Sequence, residues 1–298
     1  KLGYILIWNP IGLKMLSNLK ASVYIIALSL MTSIGASAET IANQIVDTSL
    51  TPTETAGIFK NISGSIGFGY ESDFYEYNAA DKEQSLNLEL VFSLKHNDWK
   101  YGLTTLISKN LVNEEKSQFG DTKISASRPL YLFSTDSSFS TSILTSLTLP
   151  TSEVSRYEKK MYGNFSAGPT ISWKNGDFNI FVLPRLGKIF NKYKTTFSGE
   201  ANTSYYTKVS IAPTYQFSNS LSTQLTTSVT QGWTDNNTRK APTYASELAT
   251  ELRMDTSLSL SLAIANEDKI YKSNGTSSNV KIFDKNLSVY SLTVTKEF

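Results

Sequence analysis

The sequence predicts an all-β protein, a single closed antiparallel transmembrane β-barrel of about 12 strands with short turns at one end and long loops at the other. Three observations predict this fold. Apolar and polar residues alternate with a period of two, short polar turns alternate with longer loops, and a candidate export signal stands near the N-terminus.

The first 38 residues predict a segment that is removed on export. A short stretch with one positive charge, 15–20, precedes a mostly apolar run from Val23 to Ile34, and Ala36-Ser37-Ala38 is a small-x-small cleavage site. These are the three parts of a secretory signal peptide. A membrane anchor is the alternative, but a spanning helix needs about 20 apolar residues. We therefore expect cleavage after Ala38.

The segment 86–95 shows the strand pattern most clearly. Leucines and a phenylalanine at the even positions alternate with mainly polar residues at the odd positions. Because successive side chains of a strand point to opposite faces, such a run predicts one apolar and one polar face. Comparable runs begin near Trp99, Phe139, Phe165, Tyr205, Leu221, Leu248, Leu258 and Tyr290.

The connections between these runs are of two kinds. Four are short and rich in Asn, Asp, Gly and Ser, which tight turns favour: 96–98, 174–177, 218–220 and 255–257. They alternate with longer loops near 73–83, 109–119, 150–162, 189–202, 233–242 and 266–285. This alternation is typical of an outer-membrane barrel with short periplasmic turns and long extracellular loops, and it predicts that both chain ends are periplasmic.

The polar faces decide between a barrel in lipid and a soluble β-sandwich. They carry mainly Ser, Thr, Asn and Gln with few charges, which suits a wet interior better than a protein surface. We therefore expect Leu88, Leu103 and Leu260 to face lipid rather than a packed centre. The candidate pore-lining residues are Glu89, Lys95, Lys100, Lys123, Arg185, Lys208, Glu247, Glu251 and Arg253.

Aromatic residues provide a second test of the membrane location. The tryptophans beyond the signal peptide stand on apolar faces at strand ends. Amphipathic rings gather at membrane–water interfaces, so these positions predict two girdles, with ordinary strand caps as the alternative. The predicted girdle residues are Trp99, Trp173, Phe217, Trp233, Tyr205 and Phe298.

Four prolines argue against the prediction. The prolines that fall inside predicted strands are Pro129, Pro169, Pro184 and Pro213. Proline has no N–H to donate to the strand ladder, so it is found mainly on edge strands, and a closed barrel has no edge strand. Bulges or strand ends could accommodate them.

The C-terminal segment 286–298 carries a family resemblance. Its alternating apolar residues and terminal Phe298 resemble the last strand of Gram-negative outer-membrane proteins. That resemblance implies an outer-membrane location, contact with outer-membrane lipid and lipopolysaccharide, and recognition of this strand by the barrel-assembly machinery.

A looser resemblance points to one class of such barrels. Gly120-Asp121 opens a strand, Leu149-Pro150-Thr151-Ser152 ends the next, and Gly163 to Gly168 begins another. This order is similar to the phenol-degradation MetA-pathway family of outer-membrane transport barrels, although that family usually has glycine where Ser152 stands. The resemblance covers about a sixth of the chain. It implies transport of small, in some cases aromatic, molecules and no catalytic residues.

The composition argues against enzymes, cofactors and nucleic acid. With no cysteine and a single histidine, the sequence offers no thiolate or multi-histidine metal site, and we expect no metal and no cofactor. The histidine, His96, lies in a short turn, whereas outer-membrane hydrolases need a histidine as general base. A formal net charge of +2 is too small to suggest a nucleic-acid binder. We expect no enzyme activity.

The predicted organisation has three parts: an upstream segment and signal peptide (1–38), a periplasmic or plug segment (39–58) and the barrel (59–298). Two functions are compatible with it. One is a narrow channel for passive diffusion of small solutes, and the other is a non-conducting structural or surface-interaction barrel with extracellular binding loops. Whether the chain starts at Lys1 or Met15, which solutes pass and which oligomer forms are left open.

Overall fold

The computed structural model describes residues 61–74, 83–112, 117–130, 138–272, 275, 277–281, 283–284 and 287–298. The predicted signal peptide and the segment 39–58 lie outside the described residues. The described part contains 13 strands and one short π-helix. The strands are β1 Ile62–Asp73, β2 Gln84–His96, β3 Trp99–Asn110, β4 Gln118–Phe119, β5 Thr122–Leu130, β6 Phe139–Leu149, β7 Met161–Asn175, β8 Phe178–Asn191, β9 Tyr205–Gln216, β10 Leu221–Trp233, β11 Thr243–Arg253, β12 Leu258–Lys269 and β13 Val289–Glu297.

Twelve of these strands form one closed antiparallel barrel, as the sequence predicted. Each pairs with its neighbours in chain order, except that β3 pairs with β5 because β4 is a two-residue strand on the end of β3. The first and last strands close the barrel, with Ser65 opposite Glu297 at one end of the ladder and Asp73 opposite Val289 at the other. Closure matters because it leaves no unpaired strand edge.

One end of the barrel, here called the turn end, has connections of two to four residues, except for the eight residues that join β5 to β6. Two residues join β2 to β3 and two join β7 to β8, and these turns contain Asn97 (φ 53°) and Gly176 (φ 59°). Asparagine and glycine suit this left-handed backbone region. The turns are shorter than the sequence suggested, because His96 ends β2 and Lys174 lies within β7. The opposite end, the loop end, carries the longer connections.

A polar side chain fixes the turn between β11 and β12. The Asp255 carboxylate accepts hydrogen bonds from the backbone N–H of Ser257 (2.6 Å) and from its hydroxyl (3.0 Å). These bonds, the backbone one foremost, hold the pKa of Asp255 below its ordinary value. The Asx-type turn is a local feature that needs no packing against a core.

The ladder register separates an outer from an inner face. Large apolar side chains with high exposure share one face, for example Leu103 (39%) on β3 and Leu262 (53%) on β12. Leu88, Leu103 and Leu260 all lie on this outer face, opposite Phe68, Ile124 and Val294 of neighbouring strands. The apolar face therefore does not form a packed centre, which excludes a soluble β-sandwich.

The four prolines do lie inside strands, and the ladders open around three of them. Between β7 and β8, pairing stops at Ala167 and Leu186 and resumes at Ile171 and Val182 in the same register. Pro169 and Pro184 fall in this gap. Pro213 sits in a similar gap between β9 and β10, while Pro129 on β5 lies beyond the last residue paired with β3. The closed barrel thus accepts proline by local loss of pairing, without a shift of register.

Candidate functional site: the inner face of the barrel

The inner face brings together all nine charged residues that the sequence selected. Strand pairing keeps them on one side of the sheet: Lys95 lies opposite Lys100, and Arg185 opposite Lys208. Eight of the nine side chains are half-buried, and Lys95, close to the turn end, is exposed.

Acidic residues lie on one sector of the inner face, formed by β11, β1 and β2. Glu89 on β2 and Glu71 on β1 project from adjacent strands, and Asn87 donates a hydrogen bond to Glu71 (Nδ2 to Oε2, 2.8 Å). Glu247 projects from the same inner face on β11, three strands from Glu71. Sequence reasoning missed Glu71, although its alternation with Tyr70 places it on the same face as the other polar residues of β1.

Basic residues lie on a different sector, on β3, β5, β8 and β9. Lys100 and Lys123 come from β3 and β5, and Arg185 and Lys208 from β8 and β9. Like charges directly opposite each other, as Arg185 and Lys208 are, repel and gain from anions or solvent between them. In mid-strand, charge on the inner face is therefore segregated, with basic and acidic groups facing a shared interior, while the basic Lys95 of β2 lies close to the turn end.

Arg185 has a structural task as well. Its guanidinium donates to the backbone oxygens of Pro169 (2.5 Å) and Pro184 (2.9 Å) and to the hydroxyl of Thr170 (2.9 Å). Both carbonyls lie at the gap in the β7–β8 ladder. The arginine side chain thus replaces hydrogen bonds that the prolines and the open ladder remove.

The close approach at this gap also requires a glycine. A Cβ added to Gly168 would lie 2.0 Å from the backbone oxygen of Pro184, far inside van der Waals contact. Proline, glycine and arginine therefore form one local arrangement on the inner face of β7 and β8.

Two further charges on the inner face neutralise each other. Arg253 contacts Glu251 on the same strand, with Nε and Oε1 separated by 3.3 Å. The two side chains lie next to the turn end. Because their charges cancel, the net charge along the rest of the interior is set by the acidic and basic sectors.

Neutral polar groups line much of the remaining inner face. Hydroxyl pairs connect β6 to β7, Ser140 with Ser172 at 2.7 Å and Ser146 with Ser166 at 2.8 Å. Gln224 donates to Thr214 across β9 and β10 (2.8 Å). These side chains offer donors and acceptors to water or to a polar solute along the wall.

An apolar patch interrupts this polar lining, and the sequence prediction missed it. Phe181 and Leu183 on β8 and Ala212 on β9 form a buried cluster on the inner face, with Phe181 7% and Leu183 5% exposed. The signal was present in the run 180–183, four consecutive apolar residues. Such a run predicts a strand that is apolar on both faces.

Next to this patch, an aromatic ring lies flat against a strand. A Cβ on Gly187 would meet the ring of Tyr206 at 2.1 Å, so the ring covers the glycine. The Tyr206 hydroxyl reaches Asn164 two strands away (3.2 Å). This side chain narrows the interior beside Arg185.

The outer face shows the opposite distribution of charge. Among the described strands, its charged residues stand within four residues of a strand end: Arg128 and Lys296 at the turn end, and Lys109, Lys188 and Asp268 at the loop end. The middle of the outer face is uncharged. Some outer-face hydroxyls bond to one another, as Thr223 and Thr250 do near the turn end at 3.1 Å, which reduces their need for water.

The predicted girdle residues lie at the two ends of the barrel. Trp99 and Trp173 on the outer face and Phe217 and Phe298 just beyond strands are at the turn end, while Tyr205 and Trp233 lie opposite each other at the loop end. Rings also meet there, Trp173 with Phe178 at 6.3 Å and Tyr215 with Phe217 at 4.8 Å between centroids. Their contact with a membrane interface stays a prediction.

The motif that carried the family resemblance is a hydrogen-bonded clamp at the loop end. Asp121 accepts from the backbone N–H of Ser152 (3.0 Å) and from the hydroxyl of Ser155 (2.5 Å), and the Thr151 hydroxyl donates to the Gly120 oxygen (2.6 Å). Asp121 contacts only the backbone of Ser152, whereas the Ser152 hydroxyl accepts the backbone N–H of Ser155 (3.2 Å), a bond that glycine would lack. The clamp holds the π-helix Val154–Glu158 beside β5 and β6.

The described residues contain no group of three or more His, Asp and Glu side chains arranged to hold a metal ion. Within the same residues, no helix is long and apolar enough to cross a membrane. His96 lies on the outer face at the turn end, away from the acidic and basic sectors.

The barrel is similar to solved outer-membrane channels. An outer-membrane channel of Pseudomonas putida superimposes with a TM-score of 0.55 at 11% sequence identity, over 84% of this chain and 100% of that chain. The NanC porin gives 0.49 at 14% identity over 79% and 98% of the two chains, and the KdgM porin 0.44 at 12% over 78% and 99%. The chain therefore has the fold of outer-membrane channel barrels.

Sequence comparisons add no relative. A scan against protein-family models finds no match, and neither does a comparison with curated proteins. The resemblance to the MetA-pathway family accordingly stays a prediction.

Proposed function

We propose that this protein is an outer-membrane channel through which small polar solutes diffuse passively. The observation that carries the proposal is the inverted polarity of the described barrel: charges such as Glu89 and Arg185 lie in mid-strand on the inner face, and the middle of the outer face is uncharged. In hydrocarbon a spanning sheet must close and present apolar side chains to lipid. A solute path is then available along the polar interior.

The channel is expected to be narrow. Eight-stranded barrels fill their interior with side chains, and barrels of about 16 strands leave an aqueous channel, so twelve strands lie between. Tyr206 and the apolar pair Phe181 and Leu183 occupy part of the interior. Acidic and basic sectors facing one another predict selection by size and local charge with weak overall ion selectivity, and no enzymatic step.

The proposed orientation follows from the connections. The turn end, with Phe298, faces the periplasm, and the loop end faces outward. Export by the predicted signal peptide and recognition of the last strand by the barrel-assembly machinery belong to this proposal. Phe298 suits such a signal, since its backbone pairs with Gly64 (2.9 and 3.0 Å) and its ring lies over that glycine at the closing seam.

Planar-bilayer recording tests the proposal. The purified full chain should conduct, and reversal potentials in a KCl gradient should indicate weak selectivity. Replacing the acidic sector, Glu71, Glu89 and Glu247, by glutamine should move selectivity toward anions. A matched double variant on the outer face, Lys109→Gln with Lys188→Gln, should leave selectivity unchanged. Absence of conductance from inserted protein would overturn the proposal, as would equal shifts in both sets of variants.

One observation favours the second candidate, a barrel with a closed lumen. Phe181 and Leu183 are nearly buried although they lie on the inner face, so the interior beside β8 is crowded. The segment 39–58 is the candidate plug, and it lies outside the described residues. Deleting residues 39–55 should raise conductance if the segment plugs the barrel, and unchanged conductance would count against that idea. Liposome swelling with sugars of graded size separates open from closed barrels.

A further inference from the structure

A cationic and aromatic cluster stands on the outer face at the loop end. Lys188 on β8 lies opposite Phe165 on β7 and Tyr205 on β9. Its ammonium donates to the Tyr205 hydroxyl (2.8 Å) and lies 4.6 Å from the centroid of the Tyr205 ring and 5.5 Å from that of Phe190. We name Lys188, Phe190 and Tyr205 the Lys188 cluster.

The position of Lys188 is unusual for a charge on this face. Phe190 is the next outer-face residue toward the loop end, so the lysine lies among the aromatic rings and not beyond them. An ammonium near hydrocarbon is unfavourable unless it has a polar or anionic partner. Tyr205 accepts one of its three hydrogen bonds, and the side chain is exposed to the surroundings of the barrel.

The loops above the cluster are joined and basic. The backbone N–H of Lys192 donates to the oxygen of Lys160 (2.8 Å), and that of Phe197 donates to the oxygen of Glu158 (3.2 Å), so the loops after β6 and β8 pack as one body. Together with the loop after β10 they carry more basic than acidic side chains. The basic ones are Arg156, Lys159, Lys160, Lys192, Lys194, Arg239 and Lys240, and the acidic ones Glu153, Glu158, Glu200 and Asp235.

The loop end differs at β11 and β12, three strands further round the barrel, because a loop of the chain covers the outer face there. The backbone N–H of Lys281 donates to the Tyr244 hydroxyl (2.8 Å), and Asn266 donates to the Lys281 oxygen (2.6 Å). Tyr244, which points outward from β11, is 0% exposed as a result. The Lys188 cluster, in contrast, is open to whatever surrounds the barrel.

We propose that the Lys188 cluster and the basic loops above it bind the phosphate groups of a phosphorylated glycolipid of the outer leaflet, the chemistry of lipopolysaccharide. The inference rests on the proposed outer-membrane location. Charge complementarity selects the occupant: phosphate oxygens accept charge-assisted hydrogen bonds from ammonium and guanidinium groups. The aromatic rings place Lys188 at the depth where headgroups meet acyl chains.

The test measures lipid binding to the full chain in detergent by native mass spectrometry. The wild type should bind bisphosphorylated lipid A more tightly than its dephosphorylated form. Lys188→Gln should weaken that preference about tenfold, the effect of losing one charge-assisted hydrogen bond. Lys188→Arg should retain it. The matched control is Lys109→Gln, which removes an outer-face lysine of β3 that also lies at the loop end, and this variant should bind like the wild type.

Three results would overturn the proposal. They are equal binding by the wild type and Lys188→Gln, equal binding of the two lipids, and displacement of the lipid by an excess of inorganic phosphate, which would identify free phosphate as the occupant. Conductance of Lys188→Gln separates this proposal from the channel function. The variant should conduct like the wild type, and a wild type that binds lipid A without conducting would overturn the channel alone.

Discussion

At the scale of single residues, the most informative side chain is Arg185. Sequence reasoning selected it as a charge facing the interior. The structure adds that it donates hydrogen bonds to backbone oxygens where the strand ladder is open. Its guanidinium contacts the oxygens of Pro169 and Pro184, where the ladder between β7 and β8 is open. A residue that lines the interior can thus be needed for stability independently of any solute.

Replacing Arg185 by methionine tests this structural role. The change leaves the two backbone oxygens without their donor, and hydrogen bonds of a charged group contribute about 1.5–3 kcal/mol. The free energy of unfolding, measured by urea titration of the protein folded in lipid, should fall by about 2 kcal/mol. Lys95→Met removes an exposed charge from the same face and should change stability little. Equal losses in both variants would contradict the role.

At the scale of elements, the strands were more predictable from sequence than the interior. The alternation in 86–95 was enough to predict a strand and its two faces. One face contacts lipid and the other does not, so apolar and polar residues indicate which face each position is on. The same rule failed for β8, where Phe181 and Leu183 make the inner face apolar. The packing of one inner side chain against another depends on which strands become neighbours. The alternation of apolar and polar residues along one strand does not give this information.

The loops show the same limit. The Gly120-Asp121 and Thr151-Ser152 segments were recognised from their order in the sequence, but their direct contact needed the structure. For the prolines, the same limit produced a false objection. From the sequence, Pro169 and Pro184 argued against a closed barrel. The structure shows that they lie opposite each other in one gap of the ladder, beside an arginine, and neither strand alone indicates this arrangement.

The Asp121 clamp gives a prediction at this scale. Asp121→Ala removes the acceptor for the Ser152 N–H and the Ser155 hydroxyl, so the π-helix should open more often. Trypsin should then cleave faster after Arg156 in the folded protein. Asp235→Ala, which breaks an ion pair between exposed loop residues, should leave that rate unchanged. Unaltered cleavage in Asp121→Ala would show that other contacts hold the loop.

At the scale of the whole molecule, closure explains why charges lie inside. A sheet in lipid cannot leave backbone groups unpaired, and the pairing of β1 with β13 removes its last edge. The closed sheet then has two surfaces with different surroundings. Apolar side chains occupy the outer one, and the acidic and basic sectors share the inner one. The proposed channel is a consequence of this arrangement.

Thiol accessibility tests that arrangement most directly, because the chain has no cysteine of its own. Adjacent residues of one strand point to opposite faces, so single cysteines at Leu292 and Thr293 of β13 form a matched pair, and Leu90 with Glu89 of β2 forms another. In liposomes, a charged water-soluble thiol reagent should label the cysteines at Thr293 and Glu89 and spare those at Leu292 and Leu90. Labelling of the Leu292 and Leu90 positions, with protection of their neighbours, would contradict a barrel that is wet inside and bounded by lipid outside.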